Sequence, residues 1–374
     1  MRVGILSRWN ATCGVSLHAE LIGRELMKKG HDITVLAPHR RSADLWWHHK
    51  IIRRDEDFVV RCYDERTPDL KGRLEAGKIL SEDFDIFLVE SYERLPYKGV
   101  EVLLRKIKCP KVAVIHEGKK EDIGYDLRNF DAIVVFDERF RREVVPRSVW
   151  KRTRIIPYPC IPPVRRRRRA FAEDVLRFFS FGRQPVGEYE GFVRALEALS
   201  RRYDFEYLVF RSDHPLPYNE RWLKQEVLRL DTDELYDLLL HSDIHLLPKG
   251  ATKRVVVSST FSQCVGALTP IVAPHTRHFE NLPVINGSMP AVIYKDHEEL
   301  IKLIEKLVED EYFRDGVIEA ARIYAEENSV GRVTEEFLKL FESLKPVRVE
   351  DRHQLAQVDL ADADDGVAGA IAYD

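Results

Sequence analysis

Short and nearly unbroken apolar runs recur along this chain, and the segments between them carry apolar residues at helical spacing. Residues 2–6 form the first run and residues 33–36 the second, with Leu17 and Leu21 one helical turn apart between them. Gly30 follows this helical segment, at a position where glycine ends many helices. The segment therefore predicts a strand, a helix and a second strand that runs parallel to the first.

The same alternation continues to the end of the apolar part of the chain, and runs of this kind are typical of strands buried on both faces. Further strands are predicted at 86–89, 112–115, 132–136, 155–156, 176–181, 207–210, 244–247 and 270–273. Further helices are predicted at 188–202, 218–229, 232–241, 298–308, 312–326 and 330–344, with another that begins near Ser258. The predicted fold class is α/β, with two doubly wound Rossmann-like domains that face a cleft.

A proline-rich connector divides the two predicted domains. Residues 158–163 contain three prolines, and a new series of strands and helices begins after them. We expect a first domain over 1–160, a second domain over 161–330 and a terminal helix over 331–350. The last segment, 351–374, holds six acidic residues and one arginine, and it is expected to be a mobile tail.

Charge and cysteine usage exclude several classes of protein. The formal net charge is -3, and no apolar run approaches the roughly 18 residues that a membrane helix needs. The apolar start reaches Ser7 too early for a secretory signal, so a cytoplasmic location is expected. The five cysteines are scattered without a CxxC pair, which argues against structural zinc and against a disulfide framework.

The loop after the first predicted strand contains Cys13, Gly14, Val15 and Ser16. It lacks the GxGxxG pattern, so a dinucleotide-dependent dehydrogenase fits poorly. Two interpretations stay open for this loop. Either it is an ordinary strand-to-helix connection, or its backbone N–H groups meet an anion at the start of the helix.

Two further strand ends carry side chains suited to ligand binding. His116 follows the run 112–115, where it either binds a sugar hydroxyl or a phosphate oxygen or plays a structural part. Gly182 and Arg183 follow the run 176–181. Glycine permits close backbone approach there, and the forked guanidinium suits a diphosphate, although a surface arginine would show the same pattern.

A cluster of positive and hydroxyl side chains precedes the strand predicted at 270–273. Hydroxyl groups and free N–H groups at a helix start are typical of a phosphate site. The cluster comprises Lys249, Lys253, Arg254, Ser258, Ser259 and Thr260. The sequence therefore predicts an anion site close to the start of the helix at Ser258.

Five consecutive arginines follow the connector: Arg165, Arg166, Arg167, Arg168 and Arg169. They are either a solvated face of the linker or a surface that attracts anionic lipid headgroups or an acidic acceptor. The second interpretation would make the protein peripheral to a membrane. Nucleic-acid binding is not indicated, because the chain as a whole is not basic and carries no aromatic-rich basic stripe.

Taken in order, these motifs resemble the retaining GT-B glycosyltransferases of family 4, which use nucleotide-sugar donors. Residues 13–16 and 26–36 are similar to the family's first loop and helix, which end in its "kGHdVtVl" pattern. Residues 181–183 resemble its "vGR" motif, and 269–273 resemble its "GTPVVA" motif. The resemblance covers residues 2–345. It implies a GT-B fold whose terminal helix returns to the first domain.

The resemblance fails at two positions that matter for chemistry. The family usually carries two glutamates eight residues apart, and the register set by Thr269 and Pro270 places Val255 and Gln263 there. Gln263 can still hydrogen-bond a ribose hydroxyl as a neutral partner, whereas the Val255 side chain cannot. Catalytic competence is therefore an open question at this stage.

The resemblance implies transfer of a hexose from a UDP- or GDP-sugar to an unidentified acceptor, with retention and without a bound metal or permanent cofactor. The catalytic residues would be His116 and Arg183. The donor would be bound by Gly182, Lys249, Lys253, Arg254, Ser258, Ser259, Thr260 and Gln263. The acceptor side would be lined by Cys13, Gly14, Val15 and Ser16. Two alternatives stay open. One is a non-catalytic protein of the same fold that binds a nucleotide, a glycan or a protein, and the other is an epimerase or phosphorylase.

Overall fold

A computed structural model describes residues 1–45, 50–68 and 71–344 of the 374-residue chain. The predicted acidic tail, 351–374, lies outside the described residues, as does the end of the predicted terminal helix. Across the described ranges, no helix is both long enough and apolar enough to cross a membrane.

Within these ranges the first sheet has eight strands in the order β4-β3-β2-β1-β5-β6-β7-β8. All neighbouring strands are parallel except β3 and β4, which pair in the antiparallel direction. The strands are β1 (Arg2–Leu6), β2 (Asp32–Pro38), β3 (Val59–Asp64), β4 (Arg73–Leu74), β5 (Ile86–Ser91), β6 (Lys111–Ile115), β7 (Ala132–Val135) and β8 (Thr153–Ile155). The strand order reverses between β1 and β5, and a doubly wound sheet opens a crevice at such a point.

Helices of different lengths cover this sheet. The main ones are α1 (Gly14–Lys28), α2 (Arg40–Ala43), α3 (Ala76–Leu80) and α4 (Tyr97–Lys106), with short 3₁₀ or π turns over Lys120–Asp122, Leu127–Asn129, Phe140–Val144 and Arg147–Arg152. Helix α1 begins at Gly14 because Cys13 caps it, its Sγ accepting a hydrogen bond from the Ser16 backbone N–H. Loop 7–13 is thus fixed at the carboxyl end of β1.

The second sheet, counted over the same ranges, has six parallel strands in the order β11-β10-β9-β12-β13-β14. They are β9 (Leu176–Gly182), β10 (Phe205–Arg211), β11 (Leu223–Val227), β12 (Ile244–Leu246), β13 (Ile271–Pro274) and β14 (Val292–Tyr294). The accompanying helices are α5 (Gly187–Leu199), α6 (Thr232–Leu240), α7 (Ser259–Cys264), α8 (His297–Glu309) and α9 (Glu311–Glu327). Here the order reverses between β9 and β12. The predicted α/β fold with two Rossmann-like halves is confirmed.

The last helix, α10 (Val330–Leu344), packs on the first sheet's domain and not on the second. Its apolar side chains Val333, Phe337 and Phe341 are buried in the same core as α1 and β1. The chain passes between the two domains twice, once at Cys160 and once at Ser329. These two crossing segments are in contact, because Cys160 and Ser329 pair as an isolated parallel bridge. The predicted return of the terminal helix is therefore confirmed.

One predicted helix is wrong. Residues 218–229 do not form a helix; Leu223–Val227 is β11, an edge strand that pairs with β10. Only Leu223 of this strand is buried, so the sequence carries no alternation that would have indicated a strand. The Gln225 side chain also hydrogen-bonds the backbone of Leu216, which fixes the preceding loop against the strand.

The five-arginine run does not form one solvated face, because Arg168 and Arg169 are partly buried while Arg166 is ion-paired at the surface. Arg169 forms an ion pair of 2.8 Å with Asp243, and both side chains are buried. Arg168 donates to the Leu268 carbonyl, and Arg166 pairs with two acids of α6. The alternative interpretation, a surface for anionic lipid headgroups or an acidic acceptor, stays a prediction, and Arg165 and Arg167 are its exposed members outside these pairs.

Candidate functional site

The loops at the carboxyl ends of both sheets meet across a cleft that contains two adjoining cavities. The first, of about 290 Å³, lies mainly against the second domain, and we call it the Arg183 pocket. The second, of about 360 Å³, lies mainly against the first domain, and we call it the His116 pocket. Cys13, Gly14 and Ser259 line both cavities, so these three residues form the partition between them.

Arg183 enters the first cavity directly from the end of β9. Gly182 precedes it with a φ of 121°, a backbone conformation that favours glycine, and a Cβ there would lie 2.5 Å from Gln184 Oε1. Burial lowers the pKa of the Arg183 guanidinium to about 10, which still leaves it charged at neutral pH. Its Nη1 and Nη2 donate to Oγ1 and the carbonyl of Thr12, at 2.9 and 2.5 Å. The side chain therefore spans the cleft.

Lys249 lies on the same wall, beyond the end of β12. Its Nζ donates to Thr260 Oγ1 at 3.3 Å. Burial lowers the pKa of this ammonium group to about 8; Glu188 opposes the shift and Arg183 adds to it. Lys249 and Arg183 thus supply two cationic groups to one cavity.

The short helix α7 contributes hydroxyl and amide groups to this cavity. Ser259, Thr260 and Gln263 all line it, one turn of helix separating Gln263 from Ser259 and Thr260. Ser258 does not line it, because its Oγ caps the helix by accepting from the Phe261 N–H at 3.2 Å. The Gln263 carbonyl accepts a hydrogen bond from Tyr236, which fixes this end of α7.

The charge of the Arg183 pocket is positive overall. Four cationic residues line it, since Arg53 and Arg229 join Arg183 and Lys249, whereas the lining acids are Glu20 and Asp231. Both acids already accept backbone hydrogen bonds, Glu20 from Asn10 and Asp231 from its own helix α6. The cavity is therefore suited to an anion that carries more than one negative charge.

The loop residues predicted for the acceptor side occupy different positions and make different contacts. Gly14 approaches α7 so closely that a Cβ on it would lie 3.0 Å from Ser259 Oγ. Val15 lines the His116 pocket. Ser16 lines neither cavity; it is buried, accepts from the Ala11 N–H and donates to Glu20 Oε1 at 2.7 Å.

His116 stands at the end of β6, as predicted, and its side chain is tied to a buried carboxylate. Its Nε2 lies 2.6 Å from Glu90 Oε2, and the other Glu90 oxygen lies 2.8 Å from His18 Nδ1. Burial by itself would raise the pKa of Glu90, but the two histidines lower it to about 2. Glu90 therefore stays ionised and sets the orientation of both imidazole rings.

The same three side chains are the group of possible metal ligands that the described part of the chain contains. Their donor atoms all lie within 4.8 Å of one another, and two histidines with one carboxylate form a common ligand set for transition metals. His18 Nδ1 and His116 Nε2 lie against the two Glu90 oxygens, whereas the buried His18 Nε2 has no hydrogen-bond partner.

Lys253 and Arg254 lie outside the lining of both cavities. Lys253 is exposed, and its carbonyl accepts from Arg277. Arg254 forms ion pairs with Glu93 and, at 3.4 Å, with Asp122, both in the first domain. Arg254 therefore fastens the two domains together, whereas the Lys253 contact lies within the second domain.

Val255 is held in the same way. Its N–H donates to the Gly118 carbonyl at 3.0 Å, and its side chain is buried within the core of the first domain. A Cβ on Gly118 would lie 2.6 Å from the Val255 carbonyl oxygen, so the two segments are in close contact. The position that our register assigns to the first of the family's glutamates is therefore apolar and covered.

Sequence reasoning missed several charged residues of the site. Arg8, Glu65, Glu90 and Arg94 are buried or nearly so, and each follows or continues a strand of the first sheet. Glu90 could have been found, because an acid directly after the apolar run 86–89 occupies a strand that is buried throughout. Arg8 and Arg94 gave no such signal, since arginine is common in surface loops.

No protein-family model matches the chain. Its architecture is similar to that of solved GT-B glycosyltransferases, and the molecule has the GT-B fold. Sucrose-phosphate synthase from Thermosynechococcus elongatus is 12% identical, with a TM-score of 0.65 over 92% of this chain and 99% of that one.

Two further structures show the same similarity. A trehalose-6-phosphate synthase, studied for glycosyl transfer with retention, is 14% identical, with a TM-score of 0.61 over 93% of this chain and all of that one. HepE from Anabaena in complex with UDP-glucose is 11% identical, with a TM-score of 0.61 over 92% of this chain and all of that one. Each similarity extends over both domains, so these proteins share the whole two-domain fold and not a single domain of it.

Proposed function

We propose that this protein is a glycosyltransferase that moves a hexose from a nucleotide-sugar to an acceptor with retention of configuration. The observation that carries the proposal is the pairing of Arg183 and Lys249 in one cavity at the cleft. Both groups are largely withdrawn from water, where a charge interacts more strongly with a bound anion. A nucleoside diphosphate is the anion that fits this arrangement on a Rossmann-like domain.

The Arg183 pocket would hold the diphosphate of the donor. As the bond between sugar and diphosphate breaks, negative charge grows on the leaving oxygen. The Arg183 guanidinium and the Lys249 ammonium would stabilise that charge without moving, since Thr12 and Thr260 already fix them. The hydroxyl groups of Ser259 and Thr260 would add hydrogen bonds.

The sugar would lie near the partition between the two cavities, beside Gly14 and Ser259. The acceptor would then approach from the His116 pocket, whose histidine is oriented by Glu90. Contacts between the domains around the cleft would exclude water from the reacting atoms. Gln263 would bind a ribose hydroxyl as a neutral partner.

The donor is proposed to be a UDP- or GDP-sugar, and UDP-glucose is the ligand named for the Anabaena protein. No metal or permanent cofactor is required in this proposal, because the positive side chains take the part that a divalent ion plays elsewhere. The retained configuration is supported by the resemblance in sequence and by the similarity to the trehalose-6-phosphate synthase.

The first experiment is a thermal-shift panel with UDP, GDP, ADP, dTDP and CMP, because a ligand of the folded state raises the melting temperature by mass action. We expect one nucleoside diphosphate to stabilise the wild type and to lose most of its effect with Lys249→Met. Lys253→Met is the matched control, since Lys253 is exposed and lines neither cavity. Equal stabilisation of both variants would remove the cleft from the proposal.

A second candidate function is supported by Val255. An apolar, covered side chain stands where we place a glutamate that the family directs at the donor sugar. A protein of this kind could bind a nucleotide and transfer nothing. Stabilisation by a nucleoside diphosphate, combined with no transfer and no slow hydrolysis of any matching nucleotide-sugar, would favour the non-catalytic function.

A further inference from the structure

The wall of the His116 pocket that belongs to the first domain carries two guanidinium groups. Arg8 and Arg94 both line the cavity, and they come from the loops after β1 and β5. Because β1 and β5 are neighbours in the sheet, their carboxyl ends bring these loops together. Neither arginine takes part in the donor site proposed above.

Arg8 is held rigidly and keeps one nitrogen atom without a partner. Its Nε and Nη2 donate to the two oxygens of Glu65 in a fork, the Nε bond being 2.5 Å long. The side chain is only 2% exposed, and its Nη1 has no hydrogen-bond partner. Buried guanidinium nitrogens are nearly always hydrogen-bonded, so this atom indicates a missing acceptor.

Arg94 shares the same carboxylate. Its Nη1 lies 4.0 Å from Glu65 Oε2, and its side chain is 15% exposed. The two guanidinium groups and the Glu65 carboxylate together therefore carry a net charge of +1. The other acid of this segment, Glu93, is ion-paired with Arg254 across the cleft.

Glu117 supplies a second buried polar atom that has no hydrogen-bond partner. Its Oε1 accepts hydrogen bonds from Ser91 Oγ at 2.5 Å and from Tyr97 Oη at 3.0 Å, while its Oε2 has no partner. A carboxyl oxygen in this position suits a hydroxyl group of a ligand. The wall thus offers donors for an anion and a partner for a hydroxyl group.

We infer that the His116 pocket takes an acidic sugar, an acceptor whose phosphate or carboxylate group binds Arg8 and Arg94 while a hydroxyl group contacts Glu117. This inference rests on the proposed function, since it names the acceptor class of the same cleft. A neutral sugar would leave Arg8 Nη1 without a charged acceptor. Bidentate contacts make arginine well suited to both phosphate and carboxylate.

The test uses isothermal titration with matched sugars, each measured with and without the nucleoside diphosphate that stabilises the chain. The sugars are glucose, glucose 6-phosphate and glucuronate; mannose and mannose 6-phosphate; and galactose and galacturonate. We expect at least one acidic sugar to bind about tenfold more tightly than its neutral counterpart, the contribution of one charged hydrogen bond. A preference for phosphates or for uronates distinguishes the two sources of negative charge.

Arg94→Gln is the first variant, because it removes a partly exposed charge and leaves the Arg8–Glu65 pair intact. It should abolish most of the preference and leave nucleotide affinity unchanged. Arg128→Gln, which removes an exposed arginine paired with Asp126, is the matched control and should change neither. Arg8→Met is a second variant, and the Arg94 result decides the matter if that variant fails to fold.

The inference is overturned if no acidic sugar binds more tightly than its neutral counterpart, whether both bind or neither does. It is also overturned if the preference survives in Arg94→Gln. Failure of every nucleotide to stabilise the wild type would instead count against the proposed function. The two failures are distinguishable, because nucleotide binding and sugar preference are measured separately.

Discussion

Arg183 of the second domain donates two hydrogen bonds to Thr12 of the first, and in doing so it closes one side of the cleft. The same guanidinium lines the Arg183 pocket, where we propose that it contacts the diphosphate of the donor. A bound diphosphate and the Thr12 loop would therefore share one side chain, so ligand binding and domain closure are coupled through it.

The first prediction separates the two roles of Arg183, the binding of a diphosphate and the contact with the Thr12 loop. Arg183→Ala should weaken binding of the stabilising nucleoside diphosphate by about 1.5–3 kcal/mol, the range for a charged hydrogen bond. Thr12→Val should weaken it far less, because it removes the hydroxyl acceptor but keeps the carbonyl. Isothermal titration of both variants is the measurement, and equal effects would show that Arg183 acts through the loop alone.

The second prediction concerns pH and Lys249. Its ammonium group has a pKa of about 8, so it loses its charge as pH rises through 8, whereas an ordinary lysine stays charged beyond pH 10. A bound diphosphate favours the protonated form, and nucleotide affinity should therefore fall about tenfold between pH 7 and pH 9. Lys249→Met should bind more weakly and show little of this dependence, and a parallel pH profile in that variant would contradict the assignment.

The third prediction tests the partition between the cavities. Gly14→Ala would place its Cβ 3.0 Å from Ser259 Oγ and 3.1 Å from Ser259 Cβ, so one of the two segments must move. Overpacking of this kind costs about 1–3 kcal/mol. We expect nucleotide-sugar affinity to fall about fivefold or more while nucleoside diphosphate affinity changes little. Because Ser259→Gly removes both close contacts, Gly14→Ala should cost little further affinity when it is introduced into that variant.

The fourth prediction concerns the buried carboxylate between two histidines. Glu90→Gln removes the carboxylate that contacts both His18 and His116, and removal of one partner from a buried pair costs about 3–5 kcal/mol. The pKa of Glu90 is lowered to about 2 from its ordinary value of 4.5. The stability that this ionised group contributes is therefore complete above pH 4.5 and is lost as pH falls toward 2.

Urea unfolding of the wild type and of Glu90→Gln between pH 2.5 and pH 7 checks this. The difference in unfolding free energy should be largest at neutral pH and should shrink below pH 4.5. Asp126→Asn, which alters an exposed carboxylate paired with Arg128, serves as the control. A difference that is constant over the whole range would mean that Glu90 acts by packing and not by charge.

The sequence was sufficient for the parts of the fold that depend on apolar pattern. β1, β5 and β7 are apolar at their centres, and each was predicted because buried parallel strands have no polar face. β11 was missed for the opposite reason. It lies at a sheet edge with most of its side chains exposed, so it forms by pairing with β10 and not by its own pattern.

The site shows a similar division. Arg183 and Lys249 were predicted because each follows an apolar run that ends at the cleft. Arg254 lies in the same segment after β12 as Lys249, yet its guanidinium contacts Glu93, an acid 161 residues away in the chain. Its partner depends on how the two domains face each other, and no local spacing carries that information. The lack of a partner for Arg8 Nη1 likewise arises only when the core is assembled, so the local sequence pattern could not have indicated it.

The return of α10 to the first domain has a consequence for synthesis of the protein. Phe337 and Phe341 fill the core beside α1, but they leave the ribosome only after the whole second domain has been made. A nascent chain therefore holds the apolar surface of its first domain uncovered while the second domain folds as a unit. The first domain is begun first and completed last, so truncation within α10 should release a chain whose second domain is folded and whose first domain is open to proteases.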